Sequence, residues 1–172
     1  RLVLANSVLG SAENRRWLAA RFEERGVAAE RVDLLGPADH RTFLARYGRI
    51  DVALDSFPYS GGTTTMEAIW QGVPVLTFGG DRWASRTSRS LLAPSHLSAF
   101  VVDDAAGMVE KAVSLAVSSG TPGHLADLRA GMRTRLVRGG ACDTAGLARG
   151  MEALYRELLA EAPRRGSGRG IP

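Results

Sequence analysis

Three consecutive threonines, Thr63, Thr64 and Thr65, follow a glycine pair, Gly61 and Gly62, and are followed by Glu67. Residue types in this order could bind phosphate. At a helix start the backbone N–H groups point outward, and the helix dipole favours negative charge. The glycines permit positive φ and a close approach of backbone to ligand. Two of the threonines could face one diphosphate while the third turns inward. Glu67, one turn further on, could accept hydrogen bonds from the two hydroxyls of a ribose. The same residues have a plainer use. Thr64-Thr65-Met66-Glu67 fits a capping box, worth about 1 kcal/mol, and two glycines can serve a tight turn without any ligand. Sequence alone leaves both uses open.

No rival constellation is present. The chain has neither GxxxxGK[ST] nor GxGxxG, so neither ATP hydrolysis nor NAD chemistry is supported. His40, His96 and His124 are scattered, and the single cysteine, Cys142, cannot build a zinc site. No GxSxG elbow occurs.

The elements that would position the threonines alternate between strand and helix. Apolar runs Arg1–Ala5, Arg31–Leu35, Asp51–Asp55, Val75–Phe78 and Ala99–Val102 read as five strands. Between them, Asn14–Gly26 places Trp17, Leu18, Arg21 and Phe22 at helical spacing. His40–Tyr47 places Phe43, Leu44 and Tyr47 on one side. The central helix runs from about Thr64 to Gln71 and stops at Gly72, with Met66, Ile69, Trp70 and Val73 as a core stripe. Ser85–Leu92 is a further helix, and Asp103 or Asp104 caps another that ends near Val117. Helices His124–Val137 and Thr144–Ala162 close the pattern. Such alternation argues for a Rossmann-like α/β fold, a parallel sheet with helices on both faces. Ligands of such sheets sit beyond the carboxyl ends of the strands, where the Ser60–Thr65 loop falls. One domain over 1–162 is expected, with 163–172 (PRRGSGRGIP) a disordered basic tail.

Composition narrows the partners. The formal charge is +4, from 22 basic and 18 acidic residues, and Lys111 is the one lysine among the basic residues. Arginine is a good phosphate ligand, but these arginines are spread out with few aromatics between them, so no nucleic-acid partner is expected. No run approaches the roughly 18–20 apolar residues that span a bilayer. The opening RLVLANSVLG lacks the layout of a secretory signal, and one cysteine demands no oxidising compartment. A cytoplasmic location is the expectation.

The run DVALDSFPYSGGTTTMEAIWQGVPVLTFGGDRWASR, Asp51–Arg86, resembles the signature of the O-linked N-acetylglucosamine transferase family, which includes the SPINDLY proteins and bacterial relatives. Strand, small-residue loop, Thr-Thr, acid, Trp, Gly-x-Pro and Ala-Ser-Arg occur in that family's order. The likeness is strongest over Leu35–Arg86 and continues to about Leu159. It implies the C-terminal, donor-nucleotide-binding half of a two-domain GT-B glycosyltransferase, with an N-terminal catalytic domain and tetratricopeptide repeats elsewhere in the parent chain. The substrate it implies is UDP-N-acetylglucosamine, transferred with inversion to Ser or Thr of a protein acceptor, without cofactor or metal. GDP-fucose or a glucosyl transfer to asparagine are alternatives within the superfamily.

Carried over by position, the family's diphosphate threonines fall on Thr63 and Thr64 and its ribose acid on Glu67. Its base-side arginine falls on Arg46, its base-contacting backbone on Ala38, and a lysine position on His40. A solvated helix face is the plainer account of His40 and Arg46. Gly62 stands where animal members have a histidine, Phe43 replaces another histidine, and Glu67 replaces aspartate. The family's phosphate-neutralising lysine maps upstream of Arg1, and Lys111 falls in the wrong helix to replace it. No catalytic residue is therefore expected within these 172 residues, and the chain alone is expected to be inactive. The reading from another class is a non-catalytic nucleotide-binding or protein-interaction domain whose loop is only a turn and a cap.

Overall fold

The computed structural model describes residues 1–161. The tail expected over 163–172, like Ala162, lies outside the described residues.

The alternation of strand and helix holds. The strands are β1 (Leu2–Ala5), β2 (Val32–Leu35), β3 (Ala53–Leu54), β4 (Val75–Phe78) and β5 (Val101–Val102). The helices are α1 (Ala12–Glu23), α2 (His40–Arg46), α3 (Thr63–Trp70), α4 (Thr87–Leu92), α5 (Ala105–Val117), α6 (Thr121–Arg138) and α7 (Thr144–Glu161). Three of the helix starts use side-chain caps that the sequence offers. Ser11, Asp39 and Asp104 each accept a backbone N–H of the helix they precede. Gly72 follows α3 at φ +83°, and a Cβ there would lie 2.6 Å from Arg129 Cγ, so the position requires glycine twice over.

All strand pairs are parallel, but they do not form the single five-stranded sheet that alternation suggests. β1 pairs with β2, and β3–β4–β5 form a separate ladder; no ladder joins β1 to β3 among the described residues. Two of the five strands are also short. The β3 ladder closes within Ala53↔Val75 and Leu54↔Leu76, and a 3-10 turn, Ser98–Phe100, takes up part of the expected last strand.

The core lies around the second ladder. Ala68, Ile69 and Val73 pack with Val75, Leu92, Leu97 and Phe100, and α6 closes over them with Leu128, Met132 and Leu136. No residue of β1, α1 or β2 belongs to this cluster. Two expectations of amphipathicity therefore fail. Trp17 on α1 is 62% exposed and α1 buries nothing, and Trp70 stands 42% exposed instead of completing the core stripe. The Arg133 guanidinium lies 5.3 Å over the Trp70 ring and its Nε donates to Trp70 O. Arg129, from the same helix, donates to the carbonyls of Tyr47, Ile50 and Gln71, tying α2, β3's approach and the end of α3 together. No helix among the described residues is long and apolar enough to cross a membrane.

Candidate functional site

β3 ends at Leu54, and the chain then turns through Asp55–Gly62 into α3. The Phe57–Pro58 peptide in this turn is cis, and Phe57 stacks on Phe78 at 4.8 Å. Asp55 organises the loop. Its carboxylate accepts from Ser56 N–H (3.0 Å), Gly61 N–H (2.8 Å), Ser60 Oγ (2.8 Å) and Thr77 Oγ1 (2.7 Å). Ser60 Oγ accepts in turn from Ser88 N–H at 2.9 Å, and Ser88 Oγ lies 2.8 Å from Thr65 Oγ1 and 3.1 Å from Gly61 O. Ser60, Thr65, Thr77 and Ser88 are all buried. A polar network in which each member is satisfied holds one geometry of the turn. The sequence reading missed Asp55; the signal available was a lone carboxylate at the strand end, six residues before Gly61.

Of the residues expected to bind, Thr63 and Thr64 are exposed on the first turn of α3. Neither hydroxyl makes a protein hydrogen bond among the described residues. The cap position is Gly62, with no side-chain cap, so the first N–H groups of α3 are open to an outside acceptor. Thr65 is the inward threonine, engaged with Ser88 instead of facing out. Gly61 cannot offer its N–H to a phosphate, because Asp55 already holds it. What Gly61 supplies is space: a Cβ there would lie 2.5 Å from Thr65 Oγ1 and 3.1 Å from Thr64 Oγ1.

The capping box is not formed. Glu67 turns away from the helix start, and its Oε1 sits 2.7 Å from His40 Nε2 on α2. Two residues 27 positions apart thus meet beside the exposed threonines, with the Glu67 side chain 19% exposed and His40 71% exposed. Tyr47 closes the back of the site by donating its hydroxyl to Thr64 O at 3.1 Å. Burial, and then the charge of Glu67, push the Tyr47 phenol up to about 12, so it remains a donor at every ordinary pH.

Arg46 and Ala38 belong to the rim. The Arg46 guanidinium directs two nitrogens at Gly36 O, both at 3.2 Å, fixing the turn that carries exposed Ala38 into α2. Asp39 caps α2 through Thr42 N–H, and the Thr42 hydroxyl and amide together hold its carboxyl below the usual range. Phe43 packs edge-on against Tyr47, ring centres 5.6 Å apart. Between α2 and α3 lies a shallow apolar hollow of about 280 Å³, lined by Leu44, Thr63, Met66, Glu67, Trp70 and Gln71. Lys111 is on α5, outside this group. Among the described residues no group of three or more His, Cys, Asp or Glu is placed to hold a metal ion.

Parallel βαβ units with a glycine–threonine helix start beyond a strand end define a Rossmann-like α/β fold. Comparison with known proteins gives it a family. The family model described as glycosyl transferase family 41 matches residues 10–141. A tomato (Solanum lycopersicum) protein named as a probable UDP-N-acetylglucosamine–peptide N-acetylglucosaminyltransferase SPINDLY is 35% identical over 141 residues, 80% of this chain and 14% of that protein. The Petunia hybrida protein of the same name is 32% identical over 162 residues, 92% of this chain and 17% of its own length. Among solved structures, a point mutant of the Thermobaculum terrenum O-GlcNAc transferase superposes with a TM-score of 0.81 at 38% identity, covering 92% of this chain and 30% of that one. The chain belongs to glycosyl transferase family 41, and corresponds to the C-terminal part of the catalytic region of O-GlcNAc transferase and SPINDLY proteins. It spans less than a fifth of those SPINDLY relatives.

Proposed function

We propose that this chain is the donor-nucleotide-binding part of an inverting protein O-glycosyltransferase that uses UDP-N-acetylglucosamine. One observation carries the proposal: two unpartnered threonine hydroxyls and an uncapped helix start stand one turn from a carboxylate already oriented by His40. A diphosphate at Thr63 and Thr64 gains hydroxyl donors and the positive end of α3, while Gly61 and Gly62 contribute no side chain. Glu67 Oε2 remains open for a ribose hydroxyl. Ala38 and Arg46 border the place of the base, with His40 between base and ribose.

The chemistry asks for more than these residues. Departure of a nucleoside diphosphate requires charge stabilisation in a water-poor site, and the acceptor hydroxyl must be positioned. Among the described residues no lysine lies beside Thr63 and Thr64. Residues 1–172 therefore hold a donor without discharging it, and the rest of the catalytic region, closing over the nucleotide, supplies the transfer.

Calorimetric titration of UDP and of GDP against the full-length protein tests the reading. UDP binds, GDP binds more weakly, and Thr64→Ala and Glu67→Ala each lower UDP affinity by roughly 10- to 100-fold, the worth of a hydrogen bond to a charged group. Neither nucleotide binding would sink the proposal in favour of a turn with no ligand. Tighter binding of GDP would move the donor to a guanosine-linked sugar. Transfer of sugar by residues 1–172 alone would refute the division of labour.

A further inference from the structure

The buried end of the threonine loop is held by a serine from α4. A threonine inside a helix can turn its hydroxyl back onto the carbonyl four residues earlier. For Thr65 that carbonyl is Gly61 O, and it is already taken. Ser88 Oγ donates to Gly61 O at 3.1 Å, and Thr65 Oγ1 lies 2.8 Å from Ser88 Oγ. A serine has one hydroxyl hydrogen. With that hydrogen on Gly61 O, Thr65 is the donor of the hydroxyl pair. The Ser88 hydroxyl is thus inserted between the first turn of α3 and the carbonyl that this turn would otherwise draw in.

The same serine grips the loop a second time. Its N–H donates to Ser60 Oγ at 2.9 Å, and Ser60 Oγ donates onward to the Asp55 carboxylate at 2.8 Å. Ser88 therefore holds both feet of a short arch, Ser60 and Gly61 on the strand side and Thr65 on the helix side. Thr63 and Thr64 stand between the feet, exposed. Ser60, Thr65 and Ser88 are all buried, so they shape the arch from beneath without reaching a ligand above it. The arch is tight, with a Cβ on Gly61 falling 2.5 Å from Thr65 Oγ1. Met66 N–H bonds Gly62 O at 3.0 Å, which leaves the amides of Thr63, Thr64 and Thr65 to an outside acceptor. Where those amides and the two exposed hydroxyls point depends on how far Gly61 stands from Thr65, and Ser88 Oγ fills that gap.

Given a donor diphosphate at Thr63 and Thr64, on which this rests, we propose that Ser88 and Thr65 are positioning residues for it. Their buried hydroxyl pair sets the span of the Gly61–Thr65 arch and so aims the two exposed threonines. Without the Ser88 hydroxyl, Thr65 is free to bond Gly61 O directly. The arch then contracts while its buried groups stay satisfied, so folding is affected far less than diphosphate binding.

Competition titrations of UDP and of uridine against the full-length protein separate positioning from simple support. Uridine lacks the diphosphate, so the ratio of the two affinities reads the arch. Ser88→Ala and Thr65→Val are each expected to lower the UDP-to-uridine ratio about 10-fold, as weakening one charge-assisted hydrogen bond does. Thr65→Ser, which keeps the hydroxyl, is expected to return the ratio to within about twofold of the parent's. An unchanged ratio in Ser88→Ala or in Thr65→Val overturns the proposal, and so does a loss in Thr65→Ser equal to that in Thr65→Val. Should Ser88→Ala fail to fold, the two Thr65 variants decide by themselves. UDP that fails to bind the parent protein removes the donor reading and this positioning role with it. UDP that binds with the ratio unchanged in the variants removes the positioning role alone.

Discussion

Gly61 and Asp55 settle what the threonine loop can offer. The Gly61 amide is held by a carboxylate, and a methyl group on its α-carbon would strike Thr65 Oγ1 at 2.5 Å. Gly61→Ala is expected to cost about 1–3 kcal/mol in urea unfolding, as overpacking does, and to shift α3's first turn. Asp55→Ala strips the acceptor from two amides and two hydroxyls at once, and a loss of at least about 1–3 kcal/mol is expected in the same measurement. Asp55→Asn should be milder, because the Ser60 and Thr77 hydroxyls can rotate to accept from the amide. The exposed threonines and Glu67 were legible from type and spacing. Asp55's role was not, because it depends on Thr77 and, through Ser60, on Ser88, both distant in sequence. Nor was the His40–Glu67 pair, since the capping-box spacing gives Glu67 a sufficient local partner on paper.

α2 and α3 are pinned to each other by Tyr47 and held at the outer end by Asp39, and both ends respond to pH. The Tyr47 phenol is raised from an ordinary 10.0 to about 12 in the folded chain. On alkalinisation the unfolded chain ionises first, so stability present below pH 10 is lost as pH rises towards 12. Tyr47→Phe should flatten that alkaline limb in pH-dependent denaturation while losing about 1 kcal/mol at neutral pH with the bond to Thr64 O. The sign is opposite at Asp39, whose carboxyl is lowered by its bonds to Thr42. Its contribution is complete above the ordinary carboxylate range and fades as pH falls through the lowered folded value. Asp39→Ala should therefore be less stable than the parent at neutral pH, and the gap should narrow on acidification. The caps Asp39 and Asp104 could be read from sequence because capping is a local matter. The apolar stripes misled on α1 and at Trp70, where what covers a helix face is decided by other elements.

Across the whole molecule, stability is unevenly placed. The packed cluster runs through α3, β4, α4 and α6, whereas β1, α1 and β2 contribute nothing to it. Their link to the rest includes Arg46 on Gly36 O and the Arg49–Asp33 ion pair at 3.4 Å, which is an exposed contact of small worth. In residues 1–172 the β1 and β2 amides should exchange well before that of Leu76, as sub-global opening predicts. Loss of the Leu76 amide first would contradict this order. Strand–helix alternation gave the fold class directly. The split into two ladders could not be read, because which strands become neighbours is a property of the assembled sheet and leaves no trace in any one strand's composition.

The Arg129 clamp bears on how this site could be moved between proteins. The residues proposed to bind the donor span 38–67, yet the carbonyls of Tyr47, Ile50 and Gln71 are gathered by a guanidinium from α6. A lysine would have to reach these carbonyls from a single nitrogen, whereas the arginine fork spreads its bonds over two, Nη1 to Gln71 O and Nη2 to Ile50 O with both to Tyr47 O. The transplantable unit for a chimera is thus discontinuous: a graft of 38–72 into a relative would arrive without its fastening unless the α6 face carrying Arg129 travelled with it.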